Sequence, residues 1–427
     1  MRNVSGVLCA LLLVLSATAA RAQVSGSVSV LADALPDVSE SPGAQPIYEL
    51  RTRVSAEWRD QLGAHVRFNL SGYVDTLMAD REPTGDSSAR AAIVRPGDLY
   101  LEYASERFDL RAGMSRLVWG RLDEFQPTDV VNPLDLTRFL LEGRSEARLP
   151  VALVRGRVFL PRSLILEAVA VPVFRPGRFD QLAEASSPFN LLATGDATVD
   201  RQEPEFSARN IQGGARITAT SGRLDWAIVG YRGFRGFPTV TLVPTFAPPP
   251  LVFETFPRFT MVGGDFETVR GAWGVRGEIA AFVEDELQST RLARGVPGRS
   301  IDAGAGIDRK AGSYRIAGDV LWSFRRVDAG DGPDPSRAIA ADELNGTDLN
   351  LVIAADRSFA RETRTVRVFA VYDPLDDTTF ARIIGAISLR DNLWLEGSGG
   401  LFVGTSDDTL GRLTTRDFVY ARLKVFF

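Results

Sequence analysis

Apolar and polar residues alternate along much of this chain in segments of about 10 to 14 residues, separated by turn residues. In positions 64–75 the odd positions, from His65 to Asp75, are polar, while the even positions, from Ala64 to Val74, are apolar or small. Positions 47–59 repeat this pattern. Because successive side chains of a strand point to opposite faces, each segment predicts a β-strand with one polar and one apolar face.

The length of these strands and the spacing of their aromatic residues indicate where the apolar face lies. Strands of soluble sandwiches usually run about 5 or 6 residues, which is shorter than the segments here. Tyr48 and Trp58 share an apolar face ten residues apart, and Tyr314 and Phe324 repeat this spacing. Ten residues cover about 33 Å of strand, or about 23 Å along the membrane normal at a tilt of about 45°, which matches the girdle separation of an outer-membrane barrel. We therefore predict an all-β fold, a transmembrane antiparallel up-and-down β-barrel, with a soluble β-sandwich or β-solenoid as the alternative.

The predicted number of strands is 18, and 16 is the alternative. The segments begin near Val24, Ile47, Ala64, Asp98, Phe108, Val151, Leu164, Phe206, Arg223, Thr255, Arg270, Ile301, Ser313, Asp348, Arg364, Thr379, Asn392 and Thr415. The first is weakly polar and Gly263-Gly264 interrupts the tenth, which is why 16 stays open. Short connections such as 60–63 alternate with longer ones rich in Pro, Asp and Ser, which predicts short periplasmic turns, longer external loops and both termini in the periplasm.

Residues 1–22 have the pattern of a secretory signal peptide. Arg2 precedes an apolar run over 7–20, and Ala20 and Ala22 supply the small residues that a signal peptidase reads. We expect cleavage after Ala22 and one barrel domain over 23–427. Beyond the signal, no stretch reaches the roughly 18 uncharged apolar residues that a membrane-spanning helix needs.

Composition argues against an enzyme. The 427 residues carry a formal net charge of −5 and include one His, one Cys and only two lysines, Lys310 and Lys424. This set makes a P-loop, a Schiff-base mechanism or a zinc site improbable, and we expect no cofactor and no nucleic-acid partner. His65 is the one histidine that could act as a general base. Ser71, a serine on the same strand that it would have to deprotonate, lies about 20 Å further along, beyond proton-transfer reach.

The last strand carries a second signal of outer-membrane location. Val419, Ala421, Leu423, Val425 and Phe427 form a period-two apolar face that ends on a terminal aromatic residue. This pattern resembles the carboxy-terminal signal of Gram-negative outer-membrane proteins. The resemblance implies that the barrel-assembly machinery recognises the chain and inserts it into the lipid bilayer of the outer membrane.

A further resemblance covers Ser115 to Asp135. It rests on Trp119-Gly120, Asp123, Asp129 and Asn132-Pro133-Leu134-Asp135. The segment is similar to one found in several porin-like outer-membrane families, which implies a member of the porin-like superfamily without naming a solute.

The same stretch also predicts local structure in the long loop over 120–150. Asn132 can cap a helix that has Pro133 at its first position, extends from Leu134 to Glu142 and stops at Gly143. The loop would then fold into the lumen as a constriction, formed by Trp119, Asp123, Asp129, Asn132 and Asp135, or pack outside the barrel on its own side chains.

The polar strand faces predict a lumen of mixed charge. Alternation points inward the arginines Arg51, Arg53, Arg67, Arg111, Arg155, Arg157, Arg276, Arg315, Arg325, Arg367 and Arg382, and acids that include Asp75, Glu102, Glu278 and Asp319. Barrels of this size leave an aqueous channel unless something plugs them, and charged side chains then select solutes. The arginine excess predicts a slight anion preference, although these residues could equally be solvated pairs that stiffen the wall.

These features together predict an outer-membrane channel for passive or facilitated passage of small polar solutes. The alternative is a non-conducting envelope scaffold or a subunit of an export assembly, with the lumen filled by 119–150.

Asp328, Asp331 and Asp334 could offer oxygen ligands to Ca²⁺ in one external loop. The sequence leaves the oligomeric state open.

Overall fold

The computed structural model describes residues 23–36, 47–80, 88–136, 141, 143–178, 198–243, 251–330, 334–404 and 410–427. The predicted signal peptide lies outside these residues. The strands are β1 (Gln23–Leu35), β2 (Ile47–Leu62), β3 (Val66–Asp80), β4 (Ser88–Ala104), β5 (Phe108–Ser115), β6 (Val151–Leu160), β7 (Leu164–Val171), β8 (Thr198–Gln202), β9 (Gln212–Ser221), β10 (Leu224–Phe234), β11 (Thr239–Val243), β12 (Leu251–Thr255), β13 (Arg258–Arg270), β14 (Trp273–Ser289), β15 (Arg294–Ala311), β16 (Tyr314–Val327), β17 (Gly346–Phe359), β18 (Arg364–Asp373), β19 (Thr378–Arg390), β20 (Leu393–Val403) and β21 (Phe418–Phe426).

All of these strands except β8, β11 and β12 form one closed antiparallel sheet of 18 strands. β1 closes the barrel, because Val28 lies opposite Val54 of β2 on one side and opposite Val425 of β21 on the other. Each of the 18 predicted segments corresponds to one barrel strand, so the prediction of 18 strands is confirmed and 16 was wrong. Gly263 does not interrupt β13, since it pairs with Val229 and with Ala280.

Several strands begin away from their predicted starts. β4 begins at Ser88 rather than near Asp98, and β15 at Arg294 rather than near Ile301. Each extension contains a proline, Pro96 in β4 and Pro297 in β15, which has no backbone N–H to donate to the ladder and is uncommon inside a strand. In β4 the pairing with β3 changes register next to Pro96, between Leu70 and Gly72 of β3.

The outward face of the barrel is apolar. Four examples from different strands, exposed on the outer surface, are Val28, Leu70, Ile279 and Ile353. The residues before and after each of them in the strand point inward. The aromatic residue Trp58 of the predicted girdle is also exposed on this face. Among the described residues, no helix has the length and apolarity needed to cross a bilayer. The chain therefore presents an apolar strand surface of the kind that contacts lipid.

The interior departs from the prediction of a uniformly polar lumen. One buried apolar cluster, which we call the lumen core, includes Val151, Val229, Phe259, Met261 and Phe282 from the inward faces of β6, β10, β13 and β14. Leu117, Trp119 and Val131 of the β5–β6 connection complete it. The inward faces are apolar because a polypeptide segment, rather than water, packs on them. Such strands carry apolar residues on both faces, the inward one packed on the segment and the outward one exposed, and so read as nearly continuous apolar runs, as in 164–171.

Three smaller elements lie in the long connections between barrel strands. β8, β11 and β12 form a separate three-stranded sheet. In it Val240 of β11 donates its N–H to Gln288 of β14 at 2.7 Å. Helix α1 (Arg144–Ala147) belongs to the β5–β6 connection, and helix α2 (Pro335–Leu344) to the connection between β16 and β17. Glu343 of α2 accepts hydrogen bonds from Ser289 and Thr290, which holds α2 on the β14–β15 hairpin.

We predict that Met261→Ala lowers the free energy of unfolding by about 2 to 5 kcal/mol, because it leaves a void in the lumen core where Met261 is fully buried. Urea unfolding from phospholipid vesicles, followed by tryptophan fluorescence, measures this change. The neighbouring Val262 faces outward and is 55% exposed, so Val262→Ala is the matched control and should cost much less. Equal losses in the two variants would mean that the lumen core does not stabilise the barrel.

Candidate functional site: the lumen segment

The segment between β5 and β6, residues 116–150, crosses the interior of the barrel; we call it the lumen segment. It leaves the wall after Ser115 and returns at Val151. Glu124 forms an ion pair with Arg367 of β18, which lies across the ring of strands from β5 and β6. The backbone oxygen of Leu141 accepts a hydrogen bond from Arg382 of β19 at 2.6 Å. The segment therefore spans the lumen from one wall to the other.

Glu278 of β14 is the most densely bonded anchor of the lumen segment. Its carboxylate accepts hydrogen bonds from the backbone N–H of Arg121 and, at 2.6 Å, of Leu122. Thr128 donates to the other carboxylate oxygen through its hydroxyl at 2.9 Å and its N–H at 3.3 Å. Gly120 makes this approach feasible, because a Cβ there would lie 2.9 Å from Glu278 and 2.5 Å from Gln126. One buried carboxylate thus satisfies three backbone donors of a segment that has no helix or strand here.

Charged groups on the far wall hold the tip of the lumen segment. Asp123 pairs with Arg276 of β14 at 2.7 Å and with Arg315 of β16 at 2.5 Å. Both arginines also contact Asp308 of β15. Arg121 bonds Asp265 of β13 at 2.5 Å, so ion pairs fix the tip to three strands, β13, β14 and β16.

The other residues of the porin-like motif shape the segment itself and its junction with the near wall. Trp119 is buried and donates its indole N–H to Glu167 of β7 at 2.6 Å. Asp129 forms an ion pair with Arg148. Asp135 pairs with Arg178 at 2.8 Å, and both side chains are 1% exposed.

The structure contradicts the predicted role of Asn132 as a helix cap. Its side-chain oxygen accepts from the N–H of Leu117 at 2.7 Å, and its amide donates to the carbonyl oxygens of Ser115 and Leu149. Asn132 therefore joins the two ends of the segment, which a single-sequence reading could not place side by side.

The predicted helix over 134–142 is also displaced at its start. Leu134 and Asp135 form isolated β-bridges with Arg148 and Arg178. Residues 137–140 and 142 lie outside the described residues, and α1 follows at Arg144–Ala147. Gly143 has the positive φ of 82° expected of a helix stop.

Most of the arginines predicted to line the channel are paired with acids of the wall. Arg53 bonds Asp75 at 2.6 Å, Arg111 bonds Glu102 at 2.5 Å, and Arg157 bonds Asp109 at 2.5 Å. Of the other predicted lining residues, Arg51 pairs with Glu49 of its own strand, and Arg155 lies between Glu102 and Asp109. Asp319 is buried on β16, and Arg67 is exposed and lies opposite Glu102 in register. The pairs formed by Arg53, Arg111 and Arg157 join neighbouring strands of the wall.

A cavity of about 670 Å³ separates the lumen segment from the inner face of β15 to β21. Its charged lining residues are Glu124, Asp302, Arg367, Arg382, Glu396 and Arg422. The rings of Phe369 and Phe380, 5.6 Å apart, form an apolar side. Burial raises the pKa of Glu124, which is on the connecting segment rather than on a spanning strand, and nearby Arg367 opposes this shift only in part.

A second cavity, of about 630 Å³, opens among the long loops and shares Leu134, Asp302 and Ser323 with the first. It is lined on the loop side by residues such as Arg175, Phe237 and Gln288. The two cavities therefore adjoin at the three residues that line both, the second on the side of the long loops and the first against the wall formed by β15 to β21.

Sequence reasoning missed Glu124, Arg422 and the aromatic side of the lumen. Phe369, Phe380, Phe402 and Phe418 all lie on the inward face of β18 to β21. Aromatic residues at the inward phase of four successive strands are a signal that the pattern contained.

No group of three or more His, Cys, Asp or Glu suited to a metal ion occurs in the described part of the chain. Of the candidate Ca²⁺ ligands, Asp331 lies outside it, Asp328 bonds Arg299, and Asp334 caps α2.

Comparison with solved structures places this fold among known proteins. OccAB4 of Acinetobacter baumannii aligns over 96% of this chain and 98% of its own, with a TM-score of 0.54 and 8% sequence identity. A BenF-like porin from Pseudomonas fluorescens Pf-5 aligns over 95% and 97%, with a TM-score of 0.52 and 9% identity. Pseudomonas aeruginosa OccK7 aligns over 95% and 98%, with a TM-score of 0.51 and 13% identity. No family model and no curated protein matches the chain.

The closed barrel, its apolar outer face and these structural similarities define the class of protein. The chain has the fold of these porins, a closed 18-stranded β-barrel with an apolar outer face. At sequence identities this low, the structural similarity shows the fold alone. The solute has to be inferred from the site itself.

We predict that Glu278→Gln loosens the lumen segment without unfolding the barrel. Hydrogen bonds to a charged acceptor contribute about 1.5 to 3 kcal/mol each, so weakening this cluster should speed amide exchange at Arg121 and Leu122 by about tenfold or more. Hydrogen–deuterium exchange of peptides spanning 118–130 measures the effect. Glu267→Gln is the matched control, because Glu267 contacts only the Arg121 side chain and is 39% exposed. Unchanged exchange in Glu278→Gln would contradict the anchoring role.

Proposed function

We propose that this protein is a channel for the passive or facilitated passage of small polar solutes across the outer membrane, with the lumen segment as its constriction. The observation that carries the proposal is the cavity between the lumen segment and the wall formed by β15 to β21, with a second cavity adjoining it on the side of the long loops. The lumen core fills the other side of the barrel, so solutes would pass only along the side where Arg367 and Glu124 lie.

The lining of the inner cavity suggests weak charge selectivity. Its three arginines, Arg367, Arg382 and Arg422, stand against three carboxylates, Glu124, Asp302 and Glu396. This balance gives no support to the slight anion preference expected from the arginine-rich sequence. Groups of opposite sign facing each other instead create a transverse field, which favours polar solutes over apolar ones.

The aromatic side of the inner cavity favours a second candidate, the passage of small organic anions with an apolar body. Phe369 and Phe380 offer ring surface, and Arg367 and Arg422 lie in the same cavity. A solute with a ring and a carboxylate could contact both sides at once. Stronger block of ion current by benzoate than by acetate would favour this candidate.

Single-channel recording in a planar bilayer tests the channel itself, using the chain from Gln23 onward, as expected after signal cleavage. Stable ohmic steps are expected, because charged groups of both signs line the inner cavity and the second cavity adjoins it toward the loop end. A fully folded barrel that stays silent would contradict the proposal and would favour the alternative, a scaffold or assembly subunit with a filled lumen.

We predict that acidification shifts the selectivity of the channel toward anions through Glu124. Its pKa is raised above the ordinary 4.5, so as the pH falls Glu124 is neutralised earlier than a free glutamate, and Arg367 loses one of its two acidic partners while Asp356 remains 3.5 Å away. Reversal potentials in a KCl gradient, measured between neutral and acid pH, report the shift. Glu124→Gln should already show the shifted value at neutral pH and a flatter pH profile. A wild-type profile retained in Glu124→Gln would assign the titration to another group.

A further inference from the structure

Three arginines meet at the loop end of β15 and β16, away from the lumen. Arg299 and Arg326 lie directly opposite each other in the ladder between these strands. The alternation of side chains places them on the outward face, with Ile307 of β15 and Trp322 of β16, which are both exposed. Arg337 of α2 reaches the same place and donates to the backbone oxygen of Asp328 at 3.1 Å.

These side chains line a cavity of about 730 Å³ with an excess of positive charge. Arg299 pairs with Asp328 at 2.7 Å, and Arg337 lies 3.6 Å from Asp334. Within the described residues Arg326 has no carboxylate partner. Like charges directly opposite on adjacent strands destabilise a sheet, so this arrangement is suited to a bound anion.

The position of the cavity relative to the membrane indicates where that anion resides. Trp322 and Phe324 lie on the same outward strand face as Arg326, four and two residues nearer the turn end, with their rings 6.2 Å apart. Aromatic residues on the outer surface mark the membrane interface, so Arg326 lies just beyond it, at headgroup level. The long loops of such barrels are external, which places the cavity at the outer leaflet.

We propose that this cavity binds the phosphorylated headgroup of a lipid in the outer leaflet, a function separate from the channel. Arginine guanidinium groups bind phosphate oxygens through paired hydrogen bonds, and a third charge from Arg337 closes the site on the α2 side. The acyl chains of the same lipid would lie on the apolar outer face below, along Trp322 and Val320, both of which are exposed there. Arg299 and Arg326 contribute to neither lumen cavity.

Native mass spectrometry of the detergent-solubilised barrel with diphosphoryl lipid A tests this proposal. EDTA is included so that divalent cations cannot bridge the lipid to carboxylates. The double variant Arg299→Gln and Arg326→Gln should lose affinity for this lipid by about tenfold or more. The control Arg309→Gln and Arg357→Gln removes the same charge from the outer surface at the turn end, where these arginines lie over Trp273 and Tyr314, and should retain the affinity.

The outcomes are distinct from those of the channel experiments. Single-channel conductance should be the same in the Arg299/Arg326 variant and the wild type, which also shows that the variant folds. Undiminished lipid A binding by that variant, or equal loss in the control, would overturn the proposal. Displacement of the lipid by equimolar inorganic phosphate would also overturn it, because it would assign the cavity to free phosphate rather than to a lipid.

Discussion

Closure of the strand ring is the constraint on which the rest of this structure depends. In a bilayer, backbone N–H and C=O groups have no water to bond, so a membrane-spanning sheet must have no open edge. β1 meets this requirement by pairing with β2 and β21 at once, through residues such as Val28. A ring of 18 strands is too wide for its own side chains to fill, and part of the chain must then occupy the interior or leave it to water.

The lumen segment resolves this problem with two kinds of contact. Trp119 and Leu117 pack into the lumen core against the apolar inward faces of β6, β10, β13 and β14. Nearer its tip, where the segment has no regular structure, carboxylates and arginines of the wall bind it, and Glu278 accepts from its backbone N–H groups. Buried backbone donors are costly when they are left unpaired, so the wall supplies the acceptors that a helix or strand would otherwise provide. The cavities remain where neither kind of contact fills the space.

The preference for arginine over lysine follows from the same architecture. Neighbouring strands present inward side chains at fixed separations, and the planar guanidinium can bond a carboxylate through two nitrogens at once. Arg53 does so with Asp75, at 2.6 and 2.8 Å, and Arg157 contacts Asp109 through two nitrogens as well. Such pairs hold adjacent strands in register, and the interaction loses its directionality if a lysine replaces the arginine.

The sequence by itself determined the barrel, its 18 strands, the outward and inward faces and the aromatic girdle at Trp58, because a period-two pattern is a local property that each strand displays alone. It also marked the segment around Trp119 and Asp123 as special. Only the tertiary structure decided that Asp123 meets Arg315, that Asn132 joins the segment ends, and that Met261 and Phe282 face protein rather than water. Those contacts join residues far apart in the chain, and their partners are fixed by which strands face each other across the closed ring, a property that no single strand carries.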